Sequence, residues 1–219
     1  EALDSPNRLL AWGGDLKPQR LLNAYRQGIF PWYSSGQPIL WWSPAPRCVI
    51  HPEGVYLSTR TRRRYNTGRY RLTADTAFSD VIAGCAAPRD RDQGTWITTE
   101  LRAAFERLHR WGHAHSIEVW RDDELCGGIY GLALGSAFFG ESMFSRSTDA
   151  SKIALVALCR LLAGWGFGLL DCQVANPHLR RMGAVDISRV SFERHLQRLV
   201  DEPRETGSWQ DCAHFEDRW

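Results

Sequence analysis

The sequence predicts an α+β fold with one large domain preceded by a small unit. Three alternating strands with short turns follow one another between residues 116 and 144, a pattern typical of an antiparallel meander. A helix at about 150–163 comes next. It is followed at 168–174 by a nearly continuous apolar run, as expected for the central strand of a sheet.

The N-terminal part is predicted to fold as a small α/β unit. A helix begins at Lys17-Pro18, with proline in its first turn, and ends at Gly28. Residues 30–46 are rich in Pro, Gly, Ser and aromatic residues, which predicts short strands and irregular structure. We therefore expect a small domain of residues 1–57 packed on a catalytic domain of residues 58–219.

The larger domain is predicted from helical spacing of apolar residues and from period-two alternation. Its elements are a helix capped by Thr98 or Thr99 and ended by Gly112, strands at 116–120, 125–134 and 136–144, the helix and central strand named above, and a final helix at 191–200. This order fits an acetyltransferase-like (GNAT-like) architecture, which by itself does not define a function.

Composition indicates a folded protein without membrane spans. The 219 residues are 43% hydrophobic and 24% charged. No apolar run approaches the roughly 18 to 20 residues of a membrane span, and no basic-then-apolar leader is visible. The six cysteines occur singly, without a Cys-x-x-Cys pair, which predicts a reduced, cytoplasmic location. The chain begins at Glu1 rather than Met, as expected if a few residues have been trimmed.

The net charge is +2, nearly all the positively charged residues are arginines, and the densest basic stretch lies between residues 58 and 71. It includes Arg60, Arg62, Arg63 and Arg64. Arginine binds phosphate in a planar, bidentate manner, so this stretch is a candidate RNA contact. A solvated surface and a compositional preference for arginine remain the alternatives.

A polar pair stands out in the central strand. Asp171 and Gln173 are two residues apart, so they share one face of a strand, and Cys172 points the other way. Such a pair can simply satisfy nearby loop amides. Because Glu141 and Ser142 lie close by in the predicted fold, a functional site is the better interpretation.

Glu141 lies between the apolar residues Phe139 and Met143 at a spacing of two, which in a strand places all three on one face. It is either a solvated carboxylate at a sheet edge or a charge partner for a basic group of a substrate.

Seven short sequence motifs, spread in order over nearly the whole chain, have to be considered as one set. They are Leu9 to Leu16 (LLAWGGDL), Tyr25 to Trp32 (YRQGIFPW), Ile39 to Pro44 (ILWWSP), Gly94 to Ile97 (GTWI), His113 to Glu118 (HAHSIE), Gly140 to Arg146 (GESMFSR) and Asp171 to Gln173 (DCQ). In these motifs the chain resembles the leucyl/phenylalanyl-tRNA–protein transferases. Those bacterial enzymes move Leu or Phe from aminoacyl-tRNA to the N-terminus of a protein.

The resemblance implies an enzyme without metal or coenzyme. It implies that Trp32 and Trp96 hold the terminal adenine of the tRNA, and that Asp171 and Gln173 lie at the reacting ester. It also implies acceptor proteins that begin with Arg or Lys and are thereby marked for degradation by the N-end rule pathway. We expect a monomer that binds Leu-tRNA and Phe-tRNA, and accepts Met less readily.

The resemblance further implies an apolar pocket for the transferred side chain, next to Glu141 and Ser142. The candidate residues for this pocket are Ile129, Phe138, Met143, Leu155, Leu158 and Leu170, although an apolar residue of this kind is more often plain core.

The chemistry makes modest demands, because an aminoacyl ester is already activated. The attacking amine has a reference pKa of about 7.7 to 8.0, so its neutral form costs only roughly 1 kcal/mol at pH 7. Gln173 is expected to orient the attacking N–H, and Asp171 to polarise Gln173 and stabilise the positive charge that develops on nitrogen.

Two other functions are compatible with parts of the sequence. A coenzyme A-dependent N-acetyltransferase should carry a glycine-rich loop at the start of the long helix, where this chain has Thr148-Asp149-Ala150-Ser151. A non-catalytic RNA-binding module explains the arginines and exposed aromatic residues. It leaves Glu141, Asp171 and Gln173 without a role.

Overall fold

Two β-sheets form the framework of a computed structural model that describes residues 8–87, 96–204 and 206–219. The strands are β1 (Leu9–Trp12), β2 (Phe30–Pro31), β3 (Leu40–Trp42), β4 (Arg47–Ile50), β5 (Arg71–Ala74), β6 (Ala114–Arg121), β7 (Glu124–Leu134), β8 (Ala137–Ser145), β9 (Leu169–Gln173) and β10 (Val185–Ile187). The first three make a small sheet in the order β1-β3-β2. The other seven form a larger sheet in the order β10-β4-β9-β8-β7-β6-β5.

The helices pack on both faces of the larger sheet. They are α1 (Pro18–Arg26), α2 (Thr59–Tyr65), α3 (Phe78–Ala86), α4 (Thr99–Arg110), α5 (Ala150–Gly164), α6 (Pro177–Arg181) and α7 (Arg189–Leu199), with a 3-10 turn at Pro52–Gly54. None of these helices is both long and apolar enough to cross a bilayer. The predicted α+β class is confirmed.

The element order that suggested an acetyltransferase-like domain is present. β6, β7 and β8 form the predicted antiparallel meander, and α5 then leads to β9, which pairs parallel with β8. Thr98 caps α4 by accepting a hydrogen bond from the backbone of Leu101. Each predicted helix and strand of this part lies within a few residues of its predicted bounds.

Several short elements were not predicted from the sequence. They are α2, α3, α6, β1, β4, β5 and β10. Helix α3 packs on β7 and β8, and its buried residues Phe78, Val81, Ile82 and Cys85 lie at helical spacing, so a signal for it was present in the sequence.

Two apolar cores lie on opposite faces of the larger sheet, and neighbouring strand residues alternate between them. Leu169 belongs to the core formed with α1, α3, α4 and α7, whereas Leu170 belongs to the core formed with α5. Phe139 and Phe138 divide in the same way. The strand residues of β8 and β9 are therefore held from both sides up to the point where the two strands separate.

The N-terminal part contributes directly to the larger sheet, because β4 pairs with both β9 and β10. The domain boundary after residue 57 stays a prediction, although the sheets change over between Trp42 and Arg47. The consequence for the site is that β4 places Arg47 beside β9, the strand that carries Asp171 and Gln173.

Candidate active site

A cavity of about 1050 Å³ opens where β8 and β9 part. Their parallel pairing ends at Phe139 and Asp171, so Glu141 and Gln173 lie just beyond the last paired residues. Both side chains line the cavity, together with Ser142. The carboxyl ends of parallel strands are a common place for ligand sites, because there the backbone turns away and leaves space.

Glu141 reaches the cavity through a β-bulge. Gly140 pairs with Gly131 and Ser142 pairs with Tyr130, so Glu141 is the extra residue of β8. A bulge changes the alternation of side chains and re-aims the residue that it contains.

The predicted common face of Phe139, Glu141 and Met143 is therefore wrong. Phe139 lies in one core, whereas Met143 packs against the other.

Glu141 accepts two hydrogen bonds on a single oxygen. The Tyr25 hydroxyl donates to Oε1 at 2.7 Å, and Nε2 of Gln173 donates to the same atom at 2.9 Å. Tyr25 belongs to α1, so the N-terminal part completes the site. Oε2 of Glu141 has no hydrogen-bond partner within the described part of the chain.

Burial raises the pKa of Glu141 to about 8, and the nearby negative charge of Asp171 acts in the same direction. The hydrogen bonds from Tyr25 and Gln173 oppose this rise. Burial, and then the charge of Glu141, raise the pKa of Tyr25 well above its usual value. The tyrosine therefore stays a donor throughout the working pH range, while the carboxyl is poised to gain or lose a proton.

Gln173 is held in an unusual backbone conformation. Its φ is +63°, in the left-handed region that non-glycine residues seldom adopt. This ends the strand and lets the backbone N–H of Gln173 donate to Oδ1 of Asp171 at 2.9 Å. A strained residue at a cavity wall, held by a specific hydrogen bond, is typical of a functional position.

Asp171 is completely buried and bound to Arg47 in a two-pronged ion pair. Nε and Nη2 of Arg47 donate to the two carboxylate oxygens at 2.8 and 2.7 Å. The guanidinium also lies over the rings of Phe30 and Phe192, at 5.1 and 4.5 Å from their centroids. The pair therefore links β4 and β9 to the N-terminal part and to α7.

This geometry corrects the expected position of Asp171. The residue was predicted to lie at the reacting ester, but it does not line the cavity. Its oxygens are occupied by Arg47 and by the backbone of Gln173. Asp171 therefore contacts Gln173 without itself reaching the cavity. Cys172 faces the opposite core, as predicted.

Part of the predicted apolar pocket is present in the cavity wall. Of the six candidates, those that line the cavity are Ile129, Met143, Leu155 and Leu170. Phe138 and Leu158 do not line it, because both are packed within the core around α5.

Trp32 and Trp96 line the same cavity. The side chain of Trp32 is 47% exposed, so its ring face is open to a planar ligand. Trp42 supports it by donating its indole N–H to the carbonyl oxygen of Trp32 at 2.6 Å. Trp96 is half-buried, and the preceding Gly94 and Thr95 of its motif lie outside the described residues.

The predicted RNA-binding arginines lie on α2, away from the cavity lining. Arg60, Arg62 and Arg63 are exposed, whereas Arg64 is half-buried and pairs with Asp149 at 3.3 Å. Residues near the C-terminal end of the chain hold this helix. Tyr65 stacks on Trp219 with centroids 3.9 Å apart, and its hydroxyl donates to the backbone of Glu216.

Sequence reasoning missed two residues that shape the site, Arg47 and Tyr25. A buried aspartate needs a positive partner, and Arg47 is a cation at the start of the apolar run Cys48-Val49-Ile50, so a signal was present. Tyr25 was interpreted only as part of an apolar helix face. In residues 8–87, 96–204 and 206–219 we find no cluster of His, Cys, Asp and Glu suited to holding a metal ion.

Comparison with known proteins gives consistent matches. Residues 49–197 match the family model described as leucyl/phenylalanyl-tRNA protein transferase, and residues 14–45 match the model of its N-terminal domain. A leucyl/phenylalanyl-tRNA–protein transferase of Alkalilimnicola ehrlichii is 56% identical over 211 residues, which are 96% of this chain and 82% of that protein. One of Nitrosomonas eutropha is 51% identical over 219 residues, 100% of this chain and 92% of that protein.

Solved structures resemble the chain only distantly. L-PGS from Bacillus licheniformis aligns with a TM-score of 0.44 and 8% identity, covering 72% of this chain and 65% of its own. A GCN5-related N-acetyltransferase from Kribbella flavida aligns with a TM-score of 0.39 and 9% identity, covering 65% and 55%. Scores this low support no argument about function.

Proposed function

The chain belongs to the leucyl/phenylalanyl-tRNA–protein transferase family, and we propose that its cavity joins Leu or Phe from aminoacyl-tRNA to proteins beginning with Arg or Lys. Met is transferred less readily. The protein acts as a cytoplasmic monomer, and the added residue marks the acceptor for degradation by the N-end rule pathway. The observation that carries the proposal is the group formed by Tyr25, Glu141 and Gln173 at the edge of a cavity with aromatic and apolar walls.

The reaction is an exchange of an ester for an amide. The α-amine of the acceptor attacks the carbonyl carbon, a C–N bond forms, and the C–O bond to the terminal ribose breaks. Because the ester is already activated, the protein has mainly to bring the two substrates together in the correct orientation.

Gln173 orients the attacking amine in this proposal. Its Nε2 donates to Glu141, which leaves the carbonyl oxygen of the same amide to accept an N–H from the substrate. Asp171 fixes the backbone of Gln173 and is itself fixed by Arg47. The bond of Nε2 to a carboxyl oxygen defines which end of the amide faces the substrate.

The carboxyl of Glu141 partners a positive group in this proposal, either the amino group of the aminoacyl moiety or the basic first residue of the acceptor. An approaching cation favours the ionised carboxyl and so lowers its pKa from the free value of about 8.

The apolar wall receives the transferred side chain. Ile129, Met143, Leu155 and Leu170 provide an apolar surface. Apolar pockets discriminate by only about 1 to 3 kcal/mol per methylene, so Leu and Phe can share one site. Branched Val and Ile are rejected by shape.

Coenzyme A chemistry is disfavoured by the start of α5, where a pyrophosphate would bind. The first backbone N–H groups already have acceptors, since Ala150 donates to the carbonyl of Ser147 and Ser151 donates to Oγ of Ser145. Asp149 adds a negative charge at the same end. An anion gains little from such a helix start.

Replacing Trp32 by alanine is expected to raise KM for aminoacyl-tRNA while kcat changes little. Stacking of one base contributes roughly 1 to 3 kcal/mol, which corresponds to about 5- to 150-fold. Steady-state kinetics with Leu-tRNA measures the change. Trp111→Ala is the matched control, because Trp111 is 54% exposed but does not line the cavity. Equal effects of both variants would contradict a stacking role.

Neutralising two arginines of α2 is expected to weaken tRNA binding in a salt-dependent way. The variant Arg60→Gln/Arg63→Gln should reduce the slope of log affinity against log salt by about 1 to 2, since each lost phosphate contact removes roughly one unit. Arg107→Gln/Arg110→Gln on α4 has the same spacing and serves as control. If the two pairs give the same slope, α2 has no special role in RNA binding.

The proposed function itself is tested by one assay. The protein is incubated with radiolabelled Leu-tRNA and a peptide that begins with Arg, with and without ribonuclease. We expect label on the peptide only when the tRNA is intact. Transfer from acetyl-coenzyme A in place of Leu-tRNA would overturn the proposal.

A further inference from the structure

Peptide-bond formation from a protonated amine releases one net proton. The ammonium group begins with three N–H bonds, and the amide that it forms keeps one. The oxygen of the leaving ribose takes the second hydrogen when it becomes a hydroxyl. The third must be accepted by another group, and for fast transfer that group must be within hydrogen-bond reach of the attacking nitrogen.

Most groups near the cavity cannot accept this proton. Gln173 carries an amide, which does not take up a proton at neutral pH. Asp171 is enclosed by Arg47 and the backbone of Gln173, and it does not line the cavity. Within the described residues, Glu141 is the only carboxyl in the cavity lining. The imidazole of His178 also lines the cavity, but among the described residues it is Glu141 that is hydrogen-bonded to Gln173, the residue that orients the amine.

We infer that Glu141 is the catalytic proton acceptor of the transfer reaction, receiving on Oε2 the net proton released as the acceptor ammonium becomes an amide. This inference rests on the proposed function and assigns its proton transfer. Oε1 is held by Tyr25 and Gln173, and no hydrogen bond of the described residues occupies Oε2. Glu141 lines the cavity together with Gln173, the residue that orients the amine.

The surroundings of Glu141 suit this role. The titratable and charged groups that face the carboxyl or its immediate neighbours come from five elements: Tyr25 of α1, Arg47 of β4, Cys85 of α3, Tyr130 of β7 and Asp171 of β9. Burial raises the pKa of Glu141 to about 8, near the 7.7 to 8.0 of a terminal amine. Proton transfer between groups of similar pKa costs little free energy in either direction.

Tyr130 provides a second observation. Its hydroxyl is completely buried and has no hydrogen-bond partner in the described part of the chain. Glu141 is the charged group that contributes most to the raised pKa of this tyrosine, so the two lie close together. A buried donor without a partner, next to a carboxyl, offers a further hydrogen bond when that carboxyl is ionised.

The substitution Glu141→Gln removes the ability to accept a proton while it nearly preserves the size and shape of the side chain. Glutamine keeps an oxygen for Tyr25 and Gln173 but cannot accept a proton. We expect kcat at pH 7 to fall by about 100-fold or more with an Arg-initiated peptide, the usual contribution of a general base. The ratio of wild-type to Glu141→Gln kcat should shrink above pH 8, because there the amine is already neutral without help from a protein group. Glu106→Gln on α4, which makes the same chemical change far from the cavity lining, should leave kcat unchanged.

An acceptor peptide with a weakly basic amine distinguishes proton acceptance by Glu141 from a purely structural role, because a structural defect would lower kcat equally for both acceptors. The probe is the same peptide with its first residue replaced by aza-arginine. The N-terminal NH2 group of this peptide is already neutral at pH 7, so its conversion to an amide releases no net proton. With the Arg-initiated peptide, kcat of the wild type should exceed that of Glu141→Gln by about 100-fold or more. With the aza-arginine peptide the two values should agree within about 3-fold.

An equal loss with both acceptors would overturn the inference. A higher KM with unchanged kcat would do the same, and would make Glu141 a site for binding cations. If the wild-type protein transfers no Leu from Leu-tRNA at all, the proposed function fails instead.

Discussion

Replacing Arg47 by methionine is expected to lower the free energy of unfolding by about 3 to 5 kcal/mol, because it leaves the carboxylate of Asp171 buried without its partner. The ion pair is two-pronged, and both side chains are almost completely excluded from solvent. Methionine retains much of the volume between Phe30 and Phe192, so the loss reports the charge rather than a cavity.

Urea unfolding of the variant measures this effect. Arg26→Met is the control, since Arg26 pairs with Asp201 at 2.8 Å on the surface, where ion pairs contribute only about 0 to 1 kcal/mol. A loss below about 1 kcal/mol in Arg47→Met would contradict the assignment of Asp171 as a buried, ionised partner.

The double variant Arg47→Met/Asp171→Leu separates stability from activity. Replacing a buried ion pair by two apolar side chains is often neutral or stabilising, so most of the lost stability should return. Transfer activity should not return, because the backbone N–H of Gln173 has lost its acceptor on Asp171. If the double variant transferred Leu at a near-normal rate, Asp171 and Arg47 would not be needed to position Gln173.

Replacing Gln173 by alanine is expected to lower kcat by about 100- to 1000-fold, the range found when one fixed polar group is removed from a reacting centre. Single-turnover transfer from Leu-tRNA to an Arg-initiated peptide measures it without interference from product release. Affinity for aminoacyl-tRNA should change little, because Trp32, Trp96 and the apolar wall are untouched.

The left-handed backbone of Gln173 allows a matched test of stability. Gln173→Gly should be more stable than Gln173→Ala, since both lose the bond to Glu141 but glycine adopts a φ of +63° without the roughly 1 to 2 kcal/mol that other residues pay there. It should be as inactive as Gln173→Ala. If either variant retained activity within about 3-fold, an orienting role for Gln173 would be excluded.

Local patterns predicted most of the fold correctly. The meander, α4, α5, β9 and α7 follow from hydrophobic periodicity and capping residues, which act over a few neighbouring positions. Short elements were missed where local signals are weak. β4, for example, has four residues, all buried, and is defined by the strands on either side of it.

The candidate site was predicted in part. Glu141, Ser142, Gln173, Trp32 and Trp96 all line one cavity, although their roles there stay predictions. For the apolar pocket, sequence offers no means to distinguish Ile129, which lines the cavity, from Leu158, which does not, because both are simply apolar.

The sequence by itself determined the α+β class and the family, because these depend on periodicity and on strings of adjacent residues. Only the tertiary structure decided how the polar groups act. Arg47 and Asp171 are separated by 124 positions and meet through strand pairing. A bulge in β8 turns Glu141 towards Tyr25 and Gln173. Both depend on the register of strands that are distant in the chain. Period-two alternation predicts which face each side chain takes, but it does not identify the residue of a distant strand with which it pairs.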